Sequence, residues 1–351
     1  MKIDFTKKLL FWNREKNFRS MPWKNETDAY RIWLSEIILQ QTRVEQGLAY
    51  YKKFIVHFPT LASLAAASEK EIFKCWEGLG YYTRCRNLIA TAKKVISDYH
   101  GSFPSTYDEI MSLPGIGPYT AAAIASFAFR LPYAVVDGNV ERVLARYFGI
   151  DTPTGSSAGK KLYSTLAMEL LDKENPGSYN QAIMDFGATV CKPRNPVCTG
   201  CVQAKRCQAF QNGWTNELPR KLLRQPRKER WFYYFIVGKS RNSFWIRERK
   251  ESDIWQNLFE FALLETGKLI PHQKLQQNPF YEEHFASKGL RIKSISSEFN
   301  QKLTHQSVTG CFIHLDGVLK ELPGYQSVPR NQLFSFPFPK LIGDYLKNYP
   351  L

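Results

Sequence analysis

No stretch of this sequence approaches the roughly 20 consecutive apolar residues that a membrane-spanning helix needs. The longest largely apolar run, Ala121–Phe129, is interrupted by Ser126 and closed by Arg130. The opening MKIDFTKKLLFWNREK carries charges throughout and lacks the uninterrupted apolar core of a secretion signal. Internal repeats and low-complexity segments are also missing, so no array architecture is indicated. Acidic residues are few, 32 Asp plus Glu against 48 Lys plus Arg, which leaves a net charge of +16. Cysteines number only seven, an odd count that argues against a disulfide framework and for reduced thiols in the cytosol. Cys75, Cys85 and Cys311 stand alone and read as small buried apolar residues.

A chain of 351 residues exceeds what one core usually holds, so two or three domains are expected. With 44% hydrophobic and 23% charged residues, a wholly disordered chain is excluded. The positive excess points to a polyanionic partner, because Lys and Arg on phosphates release condensed counterions. The aromatic content of 14% suits stacking on, or wedging between, bases. Plain solubility is the competing explanation of the charge. Up to about residue 210 the periodicity is helical, with apolar residues at helical spacing over Tyr30–Phe58 and further helices through Cys191. Residues 211–230 are polar, hold Pro219 and Pro226, and read as a connector. Between Cys191 and Arg230 ten basic residues face two acidic ones, half of the net charge. Beyond it, Trp231–Val237, Ser243–Arg247, Leu258–Leu264 and Val308–Leu315 are strand candidates of a separate α/β domain.

Three constellations carry chemistry. Cys191-x6-Cys198-x2-Cys201-x5-Cys207 offers four thiolates within 17 residues, suited to zinc or to an iron–sulfur cluster. Only one Cys-x-x-Cys pair is present, and that favours the cluster. Leu113-Pro-Gly-Ile-Gly-Pro118 joins two helical segments, and the amides of Gly115, Gly117 and the following helix start can hold one DNA phosphate. The same residues would also serve as an ordinary helix connection. Glu36 shares a helical face with Ile32, Trp33, Leu39 and Gln40, where burial would raise its pKa. Asp137 precedes a helix starting at Gly138, so unpaired amides favour its ionised form. Singly, each carboxylate reads as an ordinary surface or capping residue. Together they form the neutral acid and charged base that glycosidic cleavage uses.

The segments WLSEIILQQTRV (33–44), GLGYYTRCRNL (78–88), LPGIGPYTA (113–121), VDGNVERVLAR (136–146) and NQAIMDFGATVC (180–191), with the cysteine loop, resemble the MutY-type adenine DNA glycosylases. That family lies within the helix-hairpin-helix superfamily, which includes endonuclease III. The resemblance implies a mainly α helix-hairpin-helix fold with an iron–sulfur cluster module, plus a C-terminal α/β Nudix-like domain. Residues 26–135 would form a six-helix domain, 1–25 with 136–215 the cluster module, 216–230 a linker and 231–351 the Nudix-like domain. It further implies a [4Fe–4S] cluster on Cys191, Cys198, Cys201 and Cys207. The partner would be double-stranded DNA with adenine opposite 8-oxoguanine or G, bound by a monomer away from membranes.

By similarity Glu36 protonates adenine at N7 and then activates water, while Asp137 stabilises an oxocarbenium-like sugar and Asn139 orients a carboxylate. The adenosine must be extruded from the stack for either group to reach it. Tyr81 and Gln41 match positions that wedge into the duplex, and Arg19, Met21, Trp23 and Gln181 match the adenine pocket. Core packing is the alternative role for Tyr81 and Trp23. Tyr119 stands where strand-cutting relatives carry a Lys, so no Schiff base can form and an abasic site is left. It is expected to approach the sugar and Asp137. No Gly-x5-Glu-x7-Arg-Glu-x2-Glu-Glu run occurs in 231–351, so this domain should recognise rather than hydrolyse. Leu303-Thr304-His305 matches a Phe-Ser-His lesion-contacting turn, with Thr304 keeping a hydroxyl and Leu303 losing the ring. Trp255-Gln-Asn257-Leu-Phe259 departs from the Gly-Gly usual in that turn. Competing readings are a glycosylase for pyrimidines and a non-catalytic iron–sulfur DNA-binding or electron-transfer protein.

Overall fold

The computed structural model describes residues 2–222 and 226–349, so residues 223–225 of the expected linker lie outside the described residues. The chain divides into two units, Met1–Ala66 with Arg86–Leu223, and Ala67–Cys85 with Arg224–Leu351. The helices are α1 (Lys2–Lys16), α2 (Ala29–Leu39), α3 (Val44–His57), α4 (Leu61–Ala66), α5 (Glu69–Trp76), α6 (Tyr82–Asp98), α7 (Tyr107–Met111) and α8 (Pro118–Ala128). They continue as α9 (Gly138–Phe148), α10 (Ser157–Leu170), α11 (Pro176–Thr189) and α12 (Gln208–Gln211). No helix among the described residues is long and apolar enough to cross a membrane.

The helical stretch expected over Tyr30–Phe58 is two helices. Gln41 adopts φ +57°, which no right-handed helix accommodates, and the chain turns between α2 and α3. In the first unit α2 packs on α8, whose run Ala121-Ala-Ala-Ile-Ala125 is buried and small enough for close approach. The core of this unit joins Phe5, Leu9 and Trp12 of α1 to Val140, Val143 and Leu144 of α9 and to Tyr179, Ile183 and Phe186 of α11. The start of α9 meets α11 at Gly187. A Cβ there would lie 2.7 Å from the Asn139 Cβ and 2.9 Å from its carbonyl oxygen.

The second unit holds β1 (Lys228–Ile236), β2 (Ser243–Glu248), β3 (Phe259–Glu260), β4 (Ala262–Thr266), β5 (Arg291–Ile295), β6 (Phe299–Lys302), β7 (Gln306–Asp316) and β8 (Gln326–Pro329). One sheet runs β4-β1-β7-β5 with β6 also on β7, and the other runs β3-β2-β8. The β1–β7 pair is parallel and both strands are largely buried. The strand expected at Leu258–Leu264 switches sheets at Phe261, so that β3 pairs β2 and β4 pairs β1. Strands β5 and β6 have predominantly polar, exposed or half-buried residues, and sequence alternation alone did not mark them or β8. Helices α13 (His272–Leu275), α14 (Pro279–His284) and α15 (Lys340–Asn348) complete the unit.

Residues 67–85 were expected in the helical domain 26–135, yet they pack as part of the C-terminal unit. Specific bonds explain this. Lys74 donates to the Phe336 carbonyl at 3.2 Å and the Phe338 amide donates to Glu77 at 2.8 Å, while the Lys70 ammonium sits 3.6 Å from the centre of the Phe336 ring. Cys75, Cys85 and Cys311 are buried, as expected of isolated cysteines.

Candidate active site

Asp28 caps α2 by accepting the Arg31 amide, and the helix then runs as an almost wholly apolar, buried cylinder. Glu36 is the single acidic residue of that helix and is only 7% exposed. Burial disfavours its charged form and moves its pKa from 4.5 to about 7. A hydrogen bond from Tyr119 pulls the other way, and the charge of Asp137 pushes further up.

Tyr119 lies in the first turn of α8, directly after the Gly-Pro start, and α2–α8 packing brings its hydroxyl to Glu36. It donates to Glu36 Oε2 at 2.7 Å and lies 3.5 Å from Met184 Sδ. From sequence Tyr119 was expected to approach the sugar and Asp137. Its hydroxyl is bonded to Glu36, and the Asp137 charge is close enough to act on it as well. The same α2–α8 contact carries a bond from Gln40 Nε2 to Thr120 Oγ1 at 3.2 Å.

Asp137 caps α9. Its Oδ1 accepts the amides of Asn139 at 2.9 Å and Val140 at 2.8 Å, and its Oδ2 accepts Asn139 Nδ2 at 2.6 Å. These donors favour the carboxylate, as expected of a helix start, but burial outweighs them and the pKa is raised above its ordinary value. The expectation from the helix end alone omitted that burial. The Asn139 side chain is itself held by Arg142, whose Nη2 donates to Asn139 Oδ1 at 2.8 Å and to the Gly187 carbonyl at 2.7 Å. Arg142 Nε donates to the Cys191 carbonyl at 2.7 Å. One buried guanidinium therefore links the cysteine loop to the residue that orients Asp137.

The extended segment leading into Asp137 is fixed by Asn180, which is fully buried. Its Oδ1 accepts the Val135 amide at 3.2 Å, and its Nδ2 donates to the Tyr133 carbonyl at 2.8 Å and to Ser126 Oγ at 2.9 Å. One helical turn and a residue further, Asp185 is also fully buried and accepts Arg19 Nη1 at 2.7 Å, Asn17 Nδ2 at 2.9 Å and Lys24 Nζ at 3.3 Å. The segment 17–24 is thereby tied to α11. Gln181, half-buried, precedes Met184 by three residues and so shares its side of α11. Met21 is half-buried and its carbonyl accepts the Lys24 amide at 3.0 Å. Trp23 is half-buried, edge-on to Tyr51 at 5.4 Å between ring centres. Gln41 is exposed at the turn after α2.

Glu36, Tyr119, Asp137 and Asn139 are thus one cluster in the first unit, while Arg19 is bonded to Asp185 of α11. Asp185, Asn180, Met184 and Arg142 were not expected from the sequence, although each lies inside a segment marked there. The available signal was a charged or amide residue set among apolar helix positions.

Gly115 has φ +71°, and a Cβ there would lie 2.4 Å from Asn87 Nδ2, so only glycine fits this turn. Thr91 Oγ1 donates to the Pro114 carbonyl at 2.8 Å and fixes the hairpin on α6. Gly117 precedes Pro118 at the start of α8, with open space where a Cβ would be.

Cys191, Cys198, Cys201 and Cys207 are half-buried free thiols, and Cys191, Cys201 and Cys207 pack against the first unit's core. Arg146 Nη1 lies 3.5 Å from Cys191 Sγ, and the Gln203 amide is 3.4 Å from Cys201 Sγ. The thiols are close enough to perturb one another's charge. Among the described residues no three His, Cys, Asp or Glu side chains converge tightly enough to hold a single metal ion.

Tyr81 and Thr304 form a second group, within the C-terminal unit. Tyr81 is exposed, with φ +49°, so the core-packing alternative does not apply to it. Its hydroxyl lies 2.9 Å from Thr304 Oγ1. Thr304 and His305 are exposed at the turn between β6 and β7, which is closed by the Leu303 amide on the Gln306 carbonyl at 2.8 Å.

Residues 34–167 match the HhH-GPD superfamily base excision DNA repair protein family. The chain is similar to an adenine DNA glycosylase of Buchnera aphidicola subsp. Schizaphis graminum, 35% identical over 86% of this chain and 85% of that one. It is also similar to an adenine DNA glycosylase of Rattus norvegicus, 44% identical over 59% of this chain and 42% of that protein. Among solved structures, a thermostable thymine-DNA glycosylase aligns with TM-score 0.55 and 32% identity, covering 60% of this chain and 97% of that one.

Proposed function

Since the chain belongs to the adenine DNA glycosylases of the helix-hairpin-helix superfamily, we propose that it hydrolyses the N-glycosidic bond of adenine mispaired with 8-oxoguanine or G in duplex DNA. The observation that carries this reading is the buried acid Glu36, raised to about 7, bonded to Tyr119 and facing the charge of Asp137. Adenine is a poor leaving group as an anion, so a proton must arrive at N7 as the bond breaks. Glu36 is an acid with a pKa near neutrality, where such transfer is most effective. Asp137, supplied with three hydrogen-bond donors, meets the positive charge that develops on the sugar. Asn139 and Arg142 set its direction. Arg19, Met21, Trp23 and Gln181 enclose the extruded base, and the Gly115–Gly117 turn holds a phosphate of the strand.

Tyr119 has no amine, so the sugar is not attacked by the enzyme and an abasic site remains. Tyr81 and Gln41 enter the duplex, and Thr304 with His305 reads the base opposite adenine. The four cysteines fit a [4Fe–4S] cluster. They are a soft all-thiol set, and two of them lie within reach of N–H donors. When bound, the cluster supplies structural cross-linking of the loop Cys191–Cys207.

The test is the identity of the base released from a panel of mismatched and oxidised duplexes. Free adenine, with the strand intact until alkali is added, is expected from duplexes pairing it with 8-oxoguanine or G. Release of thymine, as the likeness to a thymine-DNA glycosylase would suggest, overturns the reading.

A further inference from the structure

Tyr81 adopts a left-handed backbone conformation, φ +49°, immediately after Gly80 at φ +79°. A residue with a Cβ persists there only where its surroundings over-determine it. The Gly80 carbonyl accepts Trp76 Nε1 at 3.0 Å and Arg84 Nη2 at 3.3 Å, and the Tyr81 carbonyl accepts the Arg84 amide at 2.8 Å. Arg84 therefore grips the peptide groups on both sides of the Tyr81 Cα. It also meets the side chain. The guanidinium carbon lies 5.3 Å from the centre of the Tyr81 ring and 5.2 Å from that of Trp76. Trp76 is fully buried and Arg84 is 8% exposed, whereas Tyr81 is 45% exposed. A buried cation thus reaches from a core indole to an exposed phenol. Burial lowers its pKa to about 10, which leaves it charged at neutral pH and attracted to ring faces. At its far end the Tyr81 side chain meets Thr304 through the hydroxyl.

We propose that Arg84 is a positioning residue for Tyr81, holding its ring outward and ready in the free protein. This rests on the function proposed above, in which Tyr81 enters the duplex. A side chain ordered before binding has no rotamer freedom left to lose on insertion. Affinity is gained that way without any contact between Arg84 and the DNA. The Thr304 bond steadies only the tip of the ring, while Arg84 fixes both its face and its backbone.

The first measurement needs no DNA. Fluorotyrosine placed at position 81 should give a fluorine resonance displaced from its unfolded position. Arg84→Lys, which keeps a cation but loses the fork on Gly80, should move that resonance back towards it. The second is a double-mutant cycle on a duplex carrying uncleavable 2′-fluoro-2′-deoxyadenosine opposite 8-oxoguanine. Arg84→Met should raise Kd about fivefold in the wild type, but less than about twofold where Tyr81→Ala is already present. Arg84→Lys should fall between Arg84→Met and wild type. An equal loss in both backgrounds, or a resonance that Arg84→Lys does not move, overturns the assignment. In that case a wild type that still releases adenine leaves the proposed function standing. Should Arg84→Met fail to fold, the resonance of Arg84→Lys decides. A Tyr81→Ala variant that binds as tightly as wild type sinks the duplex role of Tyr81 and this proposal together.

Discussion

The Tyr119 hydroxyl donates to Glu36 Oε2 at 2.7 Å, so the one acid on α2 is wired to the residue that follows the Gly-Pro start of α8. That bond favours the ionised acid, burial favours the neutral one, and burial prevails. The balance has consequences for pH, for the carboxylate opposite and for the rest of the site.

Glu36 has an ordinary pKa of 4.5 and a folded value of about 7. The raised value means that the folded state holds the proton longer. Stability it contributes is complete below pH 4.5 and is lost as pH rises through about 7. Glu36→Gln should therefore melt like wild type at pH 5 and be more stable by ~2 kcal/mol at pH 8. Base release by wild type should decline above pH 7 as the acid form disappears, and the Gln variant should show no turnover. Equal melting of the two proteins at both pH values would count against a buried, proton-holding Glu36.

Asn139 joins Asp137 to Arg142. Asn139→Ala leaves two backbone donors on Asp137 and an unpaired donor on Arg142. Single-turnover adenine release should slow about 10- to 100-fold while duplex affinity stays close to wild type. Loss of affinity with an unchanged rate would assign Asn139 to binding instead.

The hydroxyls of Tyr81 and Thr304 share one hydrogen bond in the C-terminal unit. Tyr81→Phe and Thr304→Val should each weaken the preference for 8-oxoguanine over G. In a double-mutant cycle their effects should overlap by ~1 kcal/mol. Strict additivity would mean that the bond plays no part in that preference.

Iron and sulfide analysis of purified protein should give about four of each per chain, and Cys201→Ser should lower both. A single zinc per chain would refute the cluster.

Much of this was legible beforehand, because the informative residues sit in short runs with their own punctuation. Gly115 and Pro118 mark a turn and a helix start, whereas Glu36 among Ile32, Trp33 and Leu39 reads alone as a residue at the edge of the apolar face and gains its meaning only with Asp137. What escaped depends on contacts far apart in sequence. Nothing near Asp185 reveals that Asn17 and Arg19 return to it, and nothing near Arg142 points to the Cys191 carbonyl. The direction of the Asp137 shift was missed for the same reason. Its capping amides are local and legible, whereas its burial is a property of the folded chain. Strands β5 and β6 were invisible because they bury little, so the hydrophobic alternation that signals a strand is absent.

Asp185 also bears on how the protein comes into being. Residues near 19 leave the ribosome long before residue 185 does, so for most of synthesis Arg19 and its neighbours have no anchor. The segment around Arg19 can be pinned to α11 only once residue 185 has been made, so this tie closes late in synthesis.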